Sequence, residues 1–376
     1  MAFFDDELPL GLADFRKFAP ALAARQADAA DHARSAIGAL MRTRAVVFGV
    51  DTVRSGEAER ANQLVQIGIE AARKISNDPG VELSREDELG YEAVVRLTDR
   101  PALIVRNDSF PEPPPRWQRL DRPFRREIEA IIPSVGRIDV ASGDGREMIG
   151  TGFVVSSDLV MTNTHVIEEF ADPAPDNTSW SLKVGADPTI DFKAEHEVPK
   201  RKAFRITEVV TAFNRSDSDR LKSLDLALLR VEPLAFDPPG ARLPDPVRLA
   251  KNEPAMTLVA GDPAAGAKDI YLIGYPWTDN DGLTPPATLA AIFGGITKMK
   301  RLQPGEYGAN FASHIAFSHD SSTLGGNSGS FVVDLSANLV IGLHFRGKYK
   351  LNNYALQLWK LQDVPGVKDK GLNFVE

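Results

Sequence analysis

Apolar positions recur at helical spacing in the first part of the chain and in short strand-like runs after it. Leu12, Phe15, Ala19 and Leu22, then Ala33, Ile37, Leu40 and Met41, line one face over residues 12–42. Pro20 is expected to split this stretch into a short helix and a long one. Residues 44–50 read as a strand or as a turn into the next segment. A second helix is predicted over 56–76, with Leu64, Ile67, Ala71 and Ile75 on one face. Asn77-Asp78-Pro79-Gly80 stops it. Tyr91 to Leu97 and Ala102 to Val105 read as two short strands, with a turn at Arg100-Pro101.

Phe110-Pro111-Glu112-Pro113-Pro114-Pro115 then interrupts any periodic pattern and reads as a stiff, extended linker. Residues 121–132 suit a short amphipathic helix with Phe124, Ile128 and Ile131 aligned. From Val135 onward the period changes. Strand-like runs alternate with Gly, Pro and Asp turns at 135–140, 150–155, 158–161, 181–184, 204–213, 225–231, 256–259, 270–274, 292–300, 313–317, 330–334, 338–343 and 353–358. Many short strands separated by turns predict a sandwich or barrel.

Composition narrows the function. The chain has 376 residues, which suggests two domains. Its formal net charge is -8, which disfavours nucleic acid as a partner because phosphate binding wants a basic surface. With no cysteine, disulfides, thiolate metal sites and a cysteine nucleophile are excluded. The first residues are acidic where a secretory signal is basic, and no apolar run reaches membrane-spanning length. A cytoplasmic protein with no membrane partner is the expectation.

One stretch points to chemistry. Gly325-Gly326-Asn327-Ser328-Gly329-Ser330 is a turn that can present a serine hydroxyl beside two backbone N–H groups. Such donors stabilise the oxyanion formed when a hydroxyl attacks a carbonyl. The same residues would also make an ordinary turn. A base is therefore sought among the six histidines. Of these only His165, after the apolar run Leu159-Val160-Met161 and the small polar Thr162-Asn163-Thr164, ends a strand at a position that can face a cleft. Asp225 opens the apolar run Leu226-Ala227-Leu228-Leu229, where a carboxylate is costly to bury without a partner. A surface carboxylate at a strand start is the alternative for Asp225.

In this order, Thr-Asn-Thr-His165, Asp225-Leu-Ala-Leu-Leu and Gly-Asn-Ser328-Gly-Ser resemble the three signatures of trypsin-like (chymotrypsin-fold) serine peptidases. The resemblance spans roughly residues 135–365 and implies a mostly β fold: two antiparallel six-stranded barrels with a cleft between them. A smaller, mainly helical α+β region precedes them. The expected organisation is a helical module over 1–110, a linker over 111–120 and a peptidase domain over 121–376. By the resemblance, Ser328 is the nucleophile, His165 the general base and acid, and Asp225 its orienting carboxylate. The N–H groups of Gly326 and Ser328 form the oxyanion hole. No cofactor and no metal are implied, and the substrate is a polypeptide. An inactive, peptide-binding relative of such enzymes is the alternative.

Asn327 departs from the digestive enzymes, where an aspartate before the serine pairs with a newly cut N-terminus. A cut before Val135 is therefore not expected to be required. The pocket for the substrate side chain falls to Ser322, Thr323 and Leu324 on one side, and His344, Phe345, Arg346 and Gly347 on the other. Ser322 stands where a trypsin would carry an aspartate. Thr323 with His344 resembles the pair used by glutamyl endopeptidases, which bind acidic side chains. His314 and His319 are expected to be strand-end and loop residues, and the charged run 195–202 a solvated loop. Residues 1–110 are expected to gate the cleft or to meet a regulatory partner, in keeping by analogy with a stress or defence role; an extension that only packs on and stabilises the barrels is the alternative.

Overall fold

The computed structural model describes residues 16–48, 55–143, 145–175, 179–213, 223–234, 241–254, 269–277, 293, 296–310, 315–347 and 353–376. The strand expected at 256–259 and His314 lie outside them.

The described residues open with four helices: α1 (Ala19–Ala24), α2 (Gln26–Phe48), α3 (Ser55–Asn77) and α4 (Arg85–Thr98). Pro20 stands in the first turn of α1, where its missing N–H costs nothing. Residues 44–48 continue α2 and are not a strand. Along α3 the buried face runs through Val65, Gly68, Ile69, Ala71, Ala72 and Ile75, so Ala71 and Ile75 of the expected stripe are buried while Leu64 and Ile67 are half-buried beside it. A Cβ on Gly68 would stand 2.1 Å from the carbonyl oxygen of Gly90, so α3 and α4 cross with their backbones in contact there.

Tyr91 to Leu97 is helical, correcting the expected strand. Ser84 and Asp87 form a reciprocal capping box that starts α4. The run reads as apolar because its two polar residues, Glu92 and Arg96, pair with each other at 2.9 Å and every residue of 91–97 except Arg96 is buried.

Ala102 to Val105 does supply a strand, β1 (Leu103–Ile104). The proline-rich segment after it lies on the body of the protein. Trp117 and Leu120 are fully buried in one core with Phe153, Tyr271 and Phe331. The Trp117 indole donates to the carbonyl of Asp99 at 2.7 Å, and Arg116 stacks on its ring. Two short helices follow, α5 (Gln118–Asp121) and α6 (Arg125–Ile131).

The remainder is two barrels. The first closes from β2 (Val135–Ser142), β3 (Gly145–Val154), β4 (Leu159–Thr162), β7 (Thr189–Asp191), β8 (Ala203–Ala212) and β9 (Ala227–Pro233). A small hairpin, β5 (Ala171–Pro173) with β6 (Trp180–Leu182), stands outside it. The second barrel is a ring of β11 (Asp269–Gly274), β12 (Arg301–Asn310), β13 (Ala316–His319), β16 (Asn353–Gln357), β15 (Leu339–Gly347) and β14 (Phe331–Asp334). The pairing of β14 with β15 closes it. Both rings are antiparallel throughout. β10 (Leu249–Ala250) and β17 (Phe374–Val375) add to β15, and β1 pairs with β12.

The expected strand at 292–300 is not found in its described residues. Lys298 has a positive φ, and the strand begins only at Arg301. β12 escapes sequence reading because Pro304, Gly305 and Gly308 interrupt it. The charged run 195–202 is not all solvated either: Glu195 is buried and its carboxylate meets Lys300 at 3.0 Å.

Replacing Trp117 by Ala should lower unfolding free energy by about 3–5 kcal/mol in urea titrations. A spacer role for this segment predicts no change.

Candidate active site

The site is built where the two barrels touch. β4 ends at Thr162, and one helical turn, α7 (Thr164–Ile167), carries His165 toward the cleft. Side chains fix that turn. Asn163 donates through Nδ2 to the carbonyl of Asp225 at 2.8 Å, and the Thr164 hydroxyl reaches the carbonyl of Leu226 at 2.9 Å. The backbone before β9 is thus tied to the histidine turn.

Asp225 is 4% exposed, and both of its oxygens meet His165. Oδ1 accepts the His165 backbone N–H at 3.0 Å. Oδ2 meets ring Nδ1 at 2.7 Å. An ionised carboxylate can only accept, so Nδ1 carries the proton and Nε2 keeps a lone pair.

The turn around Ser328 reaches the same place from the second barrel. Asn327 N–H donates to Leu324 O at 3.2 Å, and Gly326 has φ +91°, the geometry of a type II turn. That turn needs glycine at its third position. A Cβ there would also stand 2.5 Å from Tyr275 O. Gly329 has φ +87° and lies against the Thr151 carbonyl, with its N–H on His344 O at 2.9 Å. The N–H groups of Gly326 and Ser328 donate to no protein acceptor among the described residues. Asn327 is buried and receives the Gln303 amide at 3.3 Å.

Thr151, unremarked in the sequence, joins the barrels. Its N–H donates to Ser328 O at 2.9 Å, its hydroxyl donates to Gly326 O at 2.7 Å, and its carbonyl accepts the Thr162 hydroxyl at 2.7 Å. Its place between Gly150 and Gly152 was the available signal. A Cβ on Gly150 would crowd Val166 and stand 3.3 Å from Ser328 O.

Five of the seven expected pocket residues take separate positions. The Ser322 hydroxyl donates to Arg100 O at 2.6 Å and accepts from Arg96 at 3.1 Å. Thr323 donates to the side chain of Asn353. His344 is buried with Nδ1 3.1 Å from Nε2 of His319. Phe345 joins the main core, and Arg346 is half-buried at the open end of β15. Burial pushes His319 down to about 4. Burial, with His319 and His165 beside it, pushes His344 well below its ordinary range.

A family model described as the trypsin-like peptidase domain matches residues 150–343. The chain belongs to that family. Solved structures similar to this trypsin-like chain include a serine endoprotease from Yersinia pestis, at 16% identity and TM-score 0.40 over 65% of this chain and 66% of that one. The match thus spans just under two thirds of the Yersinia chain. The active form of the Rv3671c protease from M. tuberculosis is similar at 20% identity and TM-score 0.37, over 64% of this chain and 82% of that one. Human heparin binding protein is similar at 14% identity and TM-score 0.39, over 62% and 90%. No curated protein matches the chain. Among the described residues no helix is long and apolar enough to cross a membrane, and no cluster of potential ligands suits a metal.

Thr151→Val keeps the shape of the side chain and strands the Tyr275 N–H that its hydroxyl accepts at 3.3 Å. It should cost about 1–3 kcal/mol in chemical denaturation. The buried histidines add an acid dependence. Their native forms resist protonation while the unfolded chain takes up protons near pH 6.5, so stability is full above that pH. It should fall as pH drops toward about 4, by about 1.4 kcal/mol per unit for each histidine. Unfolding midpoints in His319→Gln should show a shallower decline.

Proposed function

We propose that this chain is a serine endopeptidase with Ser328 as nucleophile, His165 as general base and then acid, and Asp225 as the orienting carboxylate. The observation that carries this reading is the double engagement of Asp225 by His165, which leaves Nε2 as the basic nitrogen. The Ser328 turn, held through Thr151 to the same barrel, supports it.

In the proposed reaction Ser328 Oγ attacks the scissile carbonyl and its proton passes to His165 Nε2. The carbonyl oxygen becomes an oxyanion, accepted by the N–H groups of Gly326 and Ser328. Collapse breaks the C–N bond, and His165 returns the proton to the leaving amine. Water then hydrolyses the acyl-enzyme with His165 again taking a proton. The P1 side chain enters between residues 322–324 and 344–346.

No activating cut is part of the proposal. Val135 is buried and pairs with Phe153, and the carbonyl of Ile132 accepts Lys300 Nζ at 3.1 Å. A new N-terminus at Val135 would have no carboxylate at Asn327 to meet.

A fluorophosphonate probe should label the intact, mass-verified chain at Ser328, and Ser328→Ala should abolish labelling. An intact chain that stays unlabelled under all conditions is an inactive binder. Asp225→Asn should lower kcat on a peptide library by about 10⁴-fold through the wrong histidine tautomer. Activity that emerges only after a cut before Val135 would contradict the absence of a zymogen switch.

A further inference from the structure

Residues 320–324 run as an extended arm into the Ser328 turn, so alternate side chains face opposite ways. Ser321 and Thr323 face the second barrel. Ser321 lies where a Cβ on Gly305 would be, and Thr323 bonds Asn353. Asp320, Ser322 and Leu324 each find a partner in or beside the N-terminal helical region, and Asp320 also accepts the Glu306 N–H of β12 at 2.7 Å.

Asp320 receives a two-pronged guanidinium. Arg100 donates through Nε to Oδ1 and through Nη2 to Oδ2, both at 2.7 Å. The Arg100 side chain is 0% exposed, and its third prong goes to Asp99 O at 2.6 Å. Phe18 and Trp117 stack on it. Ser322 sits between the Arg100 carbonyl and the Arg96 guanidinium, which Glu92 holds in turn at 2.9 Å. Leu324 packs on Ala102 and Phe293. Burial alone would raise the Asp320 carboxyl, but Arg100 and Lys17 hold it well below the usual carboxylate range. The pair therefore stays ionised wherever the fold survives.

We infer that Arg96 and Arg100, at the C-terminal end of α4, are positioning residues for the P1 pocket: they fix the arm that forms its floor and leads into the Ser328 turn. The inference rests on the peptidase reading for the word pocket, but the coupling itself does not. A paired guanidinium fork sets the direction of the arm, which a lysine cannot reproduce. The pocket is thus shared between the helical region and the second barrel.

Arg100→Lys and Arg96→Gln in the full chain test this. Amide hydrogen exchange over residues 320–328 should accelerate by about tenfold or more in each, with protection of the first barrel unchanged. The profile of kcat/KM against P1 residue should broaden, with KM rising by about tenfold. Labelling of Ser328 by a small fluorophosphonate, which needs no P1 side chain, should persist. A merely structural role would leave the P1 profile unaltered. If Arg100→Lys does not fold, Arg96→Gln alone decides. Native exchange over 320–328 and a native P1 profile in a folded variant overturn the inference. A native chain that is never labelled overturns the peptidase reading, and the exchange measurement still decides the coupling.

Discussion

The candidate site depends on Thr151 holding two barrels in register. A cleft assembled from separate sheets has no covalent reason to align His165 with Ser328. Three bonds at one residue of β3 supply that reason: one to Ser328, one to Gly326 and one from the Tyr275 N–H. The glycines on either side let the partner strands approach to backbone distance. This is a polar network buried and fully paired, the condition under which such groups add rigidity rather than cost stability. Its location explains why the first barrel touches the proposed nucleophile through backbone atoms and not only across the cleft.

The turn itself shows how a neutral residue can replace a charged one. Asn327 is buried with its amide on Leu324 O and its oxygen on Gln303. A carboxylate at this position would need a cation to be buried without a large cost. The cation nearest in role is Arg100, which neutralises Asp320 on the approach to the turn and not within it.

Most of the fold was legible where local pattern and tertiary context agree. The runs 135–140, 204–213, 270–274 and 353–358 all became strands, since each alternates or is apolar enough to face a barrel core. Tyr91 to Leu97 misled because the run is mostly apolar with Val94-Val95 at its centre, and only Glu92 and Arg96 mark a helical face. Ser84 and Asp87, the cap that marks it, lay outside the run. β12 misled in the opposite sense: its proline and glycines are tolerated only because neighbouring strands approach closely, as at Gly305 against Ser321. At the site, His165, Asp225 and Ser328 could be picked out because their flanking residues are characteristic. Thr151 carried only the signal of its two flanking glycines, since its role is a relation between barrels.

The same distinction governs the helical region. Sequence periodicity predicts the helices over 12–42 and 56–76, but nothing in it says what Arg100 does. Two aromatic rings and an acid from three distant segments converge on that guanidinium. A buried arginine needs such an environment, because an unpaired charge there would cost far more than one side chain's packing returns. Arg100 stands just past the end of α4, so if it and Arg96 position the arm as proposed, a displacement of α4 is transmitted through them to Asp320, Ser322 and the segment leading to Ser328.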